Sequence, residues 1–249
     1  MNRTSEIDLR AQRILDEIGD DLNYLTLIAD LTTLRTRCRF ALCQEALAAR
    51  YLDLPFAAVS FYGQGEALRS ALRALLAPGE LAYALVGAAQ RADLEAVAQV
   101  QEVITEWQML FNGDAETFDA GDAVALTPAD WPAMCRLAER GGASALEHNA
   151  LDKGPYYGVW RDGALVSMAG THLMIAHVAE IGNVVTAPAY RRRGYASLAV
   201  AATIRALEAH DLQVILHVYR SNIGAVACYE RLGFERTREM HMMRFVVDA

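Results

Sequence analysis

An α/β fold built on a mixed sheet is predicted by three observations. Short strand-like runs alternate with runs of helical period along most of the chain. Turn pairs such as Pro78-Gly79, Asn112-Gly113, Gly141-Gly142 and Asp162-Gly163 punctuate the joins. Of the 249 residues, 53% are hydrophobic and 22% charged, which supplies ample core and argues against disorder. About the first 50 residues read as helices, with Leu22, Leu25, Ile28 and Leu31 at helical spacing. Phe56 to Phe61 then reads as a strand, Glu66 to Leu76 as a helix, Leu81 to Val86 as a strand, Ala92 to Val97 as a helical piece and Val103 to Phe111 as a strand. The polar stretch Ala115 to Gly121 reads as a link between two domains, 1–115 and 116–249.

The second half opens with a strand at Ala123 to Leu126. Thr127 is placed to cap a helix that carries Pro128 at its first position and ends at Gly141-Gly142. Strands at Tyr156 to Trp160 and Ala164 to Thr171 flank Asp162-Gly163, a hairpin signal. A strand over Val178 to Thr186 stops at Pro188, because proline supplies no ladder donor. A helix over Arg193 to Ala209, a strand over Val214 to Tyr219, a helix over Ile223 to Leu232 and a strand over Met240 to Val247 follow. The order is compatible with two distant structural repeats, although sequence identity does not show them.

Composition excludes several classes of function. A net charge of -8 repels duplex nucleic acid, and the one dense basic cluster, Arg191-Arg192-Arg193, suits a single small polyphosphate. No run approaches the ~18 apolar residues of a membrane span, and Met1 to Arg10 lacks a signal-peptide pattern, so a cytoplasmic location is expected. Cys38, Cys43, Cys135 and Cys228 form no CxxC pair, and no metal site is expected. A homodimer is expected on base rates alone.

The chemistry concentrates in Arg191-Arg192-Arg193-Gly194-Tyr195-Ala196-Ser197, set between a strand and a helix. A helix N-terminus offers unpaired N–H groups and a positive dipole end, which a phosphate satisfies. Gly194 and the small Ala196 let a ligand approach the backbone, and arginines add charge-assisted bonds. Further along stand Asn222 and the run Ala227-Cys228-Tyr229-Glu230-Arg231-Leu232-Gly233-Phe234.

These residues resemble the signatures of the GNAT superfamily of N-acetyltransferases. Arg191, Gly194 and Ala196 match its phosphate loop; Asn222, Tyr229 and Leu232-Gly233-Phe234 match its second signature, in order and in context. The resemblance covers about Ala123 onward and implies a GNAT-like fold there. The first half is then a degenerate GNAT-like repeat or a related α/β domain, a layout similar to glycine N-acyltransferase-like enzymes. It implies acetyl-CoA as co-substrate, with Val184, Val185 and Thr186 offering backbone groups to pantetheine and the turn from Arg192 to Ser197 cradling the pyrophosphate. Asn222 is implied to bond the pantetheine or fix the next helix. Tyr229 is implied to stand beside the thioester sulfur as a general acid, and Glu180 to be the base that takes the amine's proton. An edge glutamate facing solvent or pairing with an arginine is the other reading of Glu180.

The implied activity is transfer of an acetyl or short acyl group to a primary amine on a small molecule or amino acid, by direct attack. A non-catalytic acyl-CoA sensor or partner-binding module is the alternative, and acetylation of a protein N-terminus or lysine a weaker third. Cys228 lacks an evident paired histidine for a covalent route. His172, His177 and His217 are candidates to line the acceptor pocket, as are Gly154-Pro155-Tyr156-Tyr157, although structural roles are commoner for each. Met240, Met242 and Met243 read as an adaptable apolar wall.

Overall fold

The computed structural model describes residues 3–143 and 146–248; the outermost ends of the two expected domains lie outside these. The chain forms two compact units, Met1–Glu106 with Glu239–Ala249, and Trp107–Arg238. The division between these units falls at 106/107 and 238/239, within two long strands. The polar stretch expected as a link begins with a 3-10 turn at Ala115–Thr117 and belongs to the second unit. Arg205 anchors it by donating to the carbonyls of Ala115 at 3.2 Å and Phe118 at 2.7 Å.

The first unit opens with α1 (Arg3–Ile18) and α2 (Leu25–Leu31). Where helix was expected to continue, β1 (Cys38–Cys43) and β2 (Ala46–Tyr51) form an antiparallel hairpin, with Phe40 opposite Ala49. Alanine and leucine favour helix locally, but Ala46 to Ala49 are all buried, so tertiary packing overrides propensity. β3 (Ala57–Tyr62) pairs antiparallel with β2, and α3 (Gly65–Arg73) leads to β4 (Ala82–Val86), which runs parallel to β3. α4 (Ala88–Glu95) and the start of β5 (Gln99–Phe111) follow. Residues 239–246 of β11 (Phe234–Val246) lie antiparallel to β4 in this unit. The core gathers Phe61, Leu68, Leu72, Leu94, Met243 and Phe245.

The second unit repeats that order. β6 (Val124–Ala125) and α5 (Trp131–Gly141) lead in; Thr127 and Asp130 form a capping box and Gly142 ends α5 in the left-handed region. A short α6 (Ala150–Lys153), not anticipated, precedes the meander β7 (Tyr156–Arg161), β8 (Ala164–Ile175) and β9 (Val178–Thr186). The β7–β8 turn is Asp162-Gly163, both with positive φ as a type I′ turn requires. Then come α7 (Tyr195–Glu208), β10 (Gln213–Tyr219) parallel to β9, α8 (Ile223–Arg231) and the start of β11. Strand order in this unit is β11-β5-β10-β9-β8-β7-β6.

α7 is helical because its buried residues Ala199, Val200, Thr203, Ile204 and Leu207 recur at spacings of three and four, giving one face to the sheet. Each large aliphatic there contributes about 1.5–3 kcal/mol on burial. Thr203 satisfies its buried hydroxyl on the Ala199 carbonyl at 2.9 Å. On the other face, Met134 and Leu137 of α5 pack with Tyr156, Met168 and Val185. No helix among the described residues is long and apolar enough to cross a membrane.

Tyr156 is fully buried against Gly170, where an added Cβ would lie 2.1 Å from the ring. Gly170→Ala is therefore expected to cost about 1–3 kcal/mol through overpacking and to lower Tm by several degrees. Thermal denaturation followed by circular dichroism measures this.

Candidate active site

Strands β9 and β10 pair over only four positions, from Val178↔Gln213 to Ile181↔Leu216. Beyond them β9 runs on to Thr186 and β10 to Tyr219 with no further partners between the two strands among the described residues. A wedge opens there, and strand edges within it keep unpaired backbone groups that a ligand can bond. A bulge accompanies the opening. Met168 faces Val185 and Gly170 faces Gly182, so two steps on β8 match three on β9, and Asn183 takes a left-handed φ of 50°. Asn183 is held by Nδ2 donating to the Tyr156 hydroxyl at 2.9 Å.

Alternation along the strands places different chemistry on the two faces of the sheet. Ala179, Ile181, Val214, Leu216 and Val218 pack with α7 and α8, so Glu180 and His217 belong to the opposite face. Glu180 is buried and its Oε1 lies 2.8 Å from His217 Nδ1. Burial alone would push the Glu180 carboxyl up. His217 beside it, with His172 and Lys153 further away, outweighs burial and holds it below the usual range. Glu180 is thus an ionised carboxylate at neutral pH, and not a solvent-facing edge glutamate.

Tyr229, on α8, stands on the other face, its ring packed edge-on to Phe234 with centroids 5.9 Å apart. Burial, reinforced by Cys228, pushes its phenol up, so the hydroxyl stays protonated. No hydrogen bond joins that hydroxyl to another described residue, and the residue as a whole is 7% exposed, with its oxygen not among the fully buried unpartnered atoms.

The turn between β9 and α7 has the geometry of an anion cradle. Arg192 and Gly194 are left-handed at φ 61° and 81°, an alternation that turns successive N–H groups toward one concavity. Gly194 precedes α7 with no side-chain cap, and nothing lies within 4 Å of where its Cβ would be. The three arginines are not equivalent. Arg191 is committed to the carbonyls of Thr186 at 3.1 Å and Gly141 at 3.2 Å, and Arg193 lies over the Tyr190 ring. Arg192 is exposed. Tyr195 is braced by Arg161, which stacks on its ring and pairs with Asp122. Ser197 meets Cys228, Oγ to Sγ 3.1 Å.

The other expected residues are also partly engaged. The Val185 carbonyl accepts from Ser167 Oγ, which also meets Thr186 Oγ1 at 2.8 Å. Val184 is half-buried on the wedge segment. The Asn222 side chain caps α8, accepting from the Ala225 N–H at 3.2 Å. His177 is exposed, and its carbonyl accepts from Gln213. No group of His, Cys, Asp and Glu among the described residues is placed to hold a metal ion. Sequence reasoning missed Gln108, whose Nε2 lies 3.0 Å from His217 Nε2, and the buried ion pair Lys153–Glu147 at 2.6 Å. Nothing local marks either, since the partners of Gln108 are distant in the chain.

In the first unit the matching strands also part early, with β3 and β4 paired only at Ala57↔Ala82 and Ala58↔Tyr83. There Gln90, the third residue of α4, fills the gap. Its Nε2 donates to the Phe61 carbonyl at 3.1 Å and its Oε1 accepts from the Gly87 N–H at 3.3 Å. The third residue of α8 is Ala225, which reaches nothing comparable. The β3–α3 connection is also only two residues, Gly63 and Gln64.

Residues 124–234 match the family described as the acetyltransferase (GNAT) family. Among solved structures, the chain is similar to a protein from Novosphingobium aromaticivorans described as being from the GNAT family. The identity is 25% and the TM-score 0.73, over 92% of this chain and 99% of that one. It is also similar in fold to a GCN5-related N-acetyltransferase-like protein from Streptococcus suis (16% identity, TM-score 0.66, 95% and 98% covered). A tandem GNAT protein from the clavulanic acid biosynthesis pathway shares the fold as well (14% identity, TM-score 0.60, 95% and 94% covered). No curated protein matches the chain.

Proposed function

Residues 124–234 being an acetyltransferase domain of the GNAT family, we propose that this protein transfers an acetyl or short acyl group from acyl-CoA to the primary amine of a small molecule or amino acid. The observation that carries the reading is the β9–β10 wedge, with an ionised Glu180 on one face and the unmatched Tyr229 hydroxyl on the other. Acyl-CoA supplies an activated thioester. The residues present fit it, with the β9 backbone beyond Ile181, unpaired with β10, for the pantetheine arm and the Arg192 to Ser197 turn for the pyrophosphate.

Each side chain then has one task. An alkyl ammonium with a pKa of about 10 must lose a proton before attack, and Glu180 receives it directly or through water. Unpaired N–H groups on β9 polarise the carbonyl being attacked. Tyr229 gives its proton to the departing thiolate. The wedge holds amine and thioester together, which makes the encounter effectively intramolecular. Arg191 and Asn222 serve in this reading by fixing the turn and the start of α8, and the remaining residues of the loop meet the ligand. The first unit, closed by Gln90, contributes no second acyl-CoA site.

The test is thiol release from acetyl-CoA in the presence of a panel of primary amines and amino acids. With an accepted amine, Glu180→Gln and Tyr229→Phe each lower kcat by about 10²-fold or more. Both variants still bind acetyl-CoA. Tight binding of acetyl-CoA with no transfer to any amine would support the non-catalytic sensor instead.

A further inference from the structure

We propose that His217 is a positioning residue for the base, holding the Glu180 carboxylate ionised and aimed. The proposal rests on the reading of Glu180 as the base. The three residues form a chain of contacts from three strands. His217 on β10 meets Glu180 on β9 at 2.8 Å and Gln108 on β5 at 3.0 Å. The imidazole and carboxylate side chains are only 5% and 9% exposed. The backbone carbonyl of Gln108 accepts from Thr237 Oγ1 at 3.0 Å.

The chemistry of the donors fixes the order. A carboxylate only accepts, so the proton between Glu180 and His217 sits on Nδ1. With the Gln108 amide N–H toward Nε2, His217 is neutral and bonds Glu180 through its single proton on Nδ1. Were the amide turned to present its oxygen, Nε2 would also carry a proton, and Nδ1 would still donate to Glu180. Both ring nitrogens are therefore occupied, and His217 has no free lone pair with which to take a proton from the amine directly. Its role is exerted through Glu180.

Such support has a physical purpose. An isolated buried carboxylate tends to neutralise by binding a proton, which would disable a base. Other groups bear on Glu180 from the neighbouring elements. They are His172 from β8 and Lys153 from the end of α6, and Lys153 is itself neutralised by Glu147 at 2.6 Å. Only His217 is within hydrogen-bond reach of the carboxylate among the described residues.

The experiment is NMR on the ligand-free full chain. A long-range proton–nitrogen spectrum of histidine-labelled wild type is expected to show His217 protonated at Nδ1. Titration of the Glu180 carboxyl, carbon-13-labelled at Cδ and assigned with Glu180→Gln, is expected to show ionisation persisting below the usual carboxylate range. In folded His217→Leu its midpoint rises by about one pH unit or more, a ten-fold gain in proton affinity. His217→Gln, which keeps an N–H donor, restores part of the shift. A wild-type His217 protonated only at Nε2, or an unmoved Glu180 midpoint in folded His217→Leu, would overturn the proposal. If the titrations behave as expected while Glu180→Gln transfers acyl groups at the wild-type rate, the base reading fails and the positioning stands.

Discussion

The site depends on a ladder that stops. Parallel strands normally exchange hydrogen bonds along their shared length, and breaking that exchange leaves donors and acceptors without partners. In the second unit the exchange ends at Ile181 and Leu216, and the bulge at Asn183 bends β9 away. That cost is tolerable only if something else satisfies the strand, and a pantetheine arm is an amide-bearing chain suited to it. In the proposed mechanism the same parting lets groups on opposite faces of one sheet reach one ligand. A base and an acid would otherwise be separated by the sheet itself.

The first unit shows the alternative solution to the same constraint. It has the same succession of antiparallel meander, helix and parallel strand, and its strands part even earlier. Gln90 supplies from within the chain the bonds that the second unit leaves open. One side chain of adequate length separates a self-satisfied strand pair from an open one; Ala225, at the equivalent helix position, is too short to close the wedge. The two-residue β3–α3 connection, against the longer turn between Thr186 and Tyr195, removes the anion cradle as well. In the proposed function acyl-CoA binding belongs to the second unit alone.

Much of this was legible in the sequence because it is local. The glycine at position 194, the turn pair Asp162-Gly163, the capping residues Thr127 and Asn222 and the helical period of α7 all act within a few residues of themselves. What escaped is long-range. Residues 38–51 carry helix-favouring alanines, yet they form a hairpin whose second strand is buried on both faces from Ala46 to Ala49. Glu180, His217 and Gln108 lie 37 and 109 positions apart in pairs, so their contact needs the strand order β5-β10-β9, which no local pattern encodes. The arginine triplet stands out in the sequence, but which arginine braces the turn depends on the carbonyls of Thr186 and Gly141.

The most direct measurement is calorimetric titration of the full chain with acetyl-CoA, comparing wild type with Gly194→Trp and checking both for folding by thermal melt. The account predicts one acetyl-CoA bound per wild-type chain and none by the folded variant, because a bulky side chain at a left-handed position would fill the open cradle before α7. Two equivalents per chain, or unchanged binding by the variant, would contradict it.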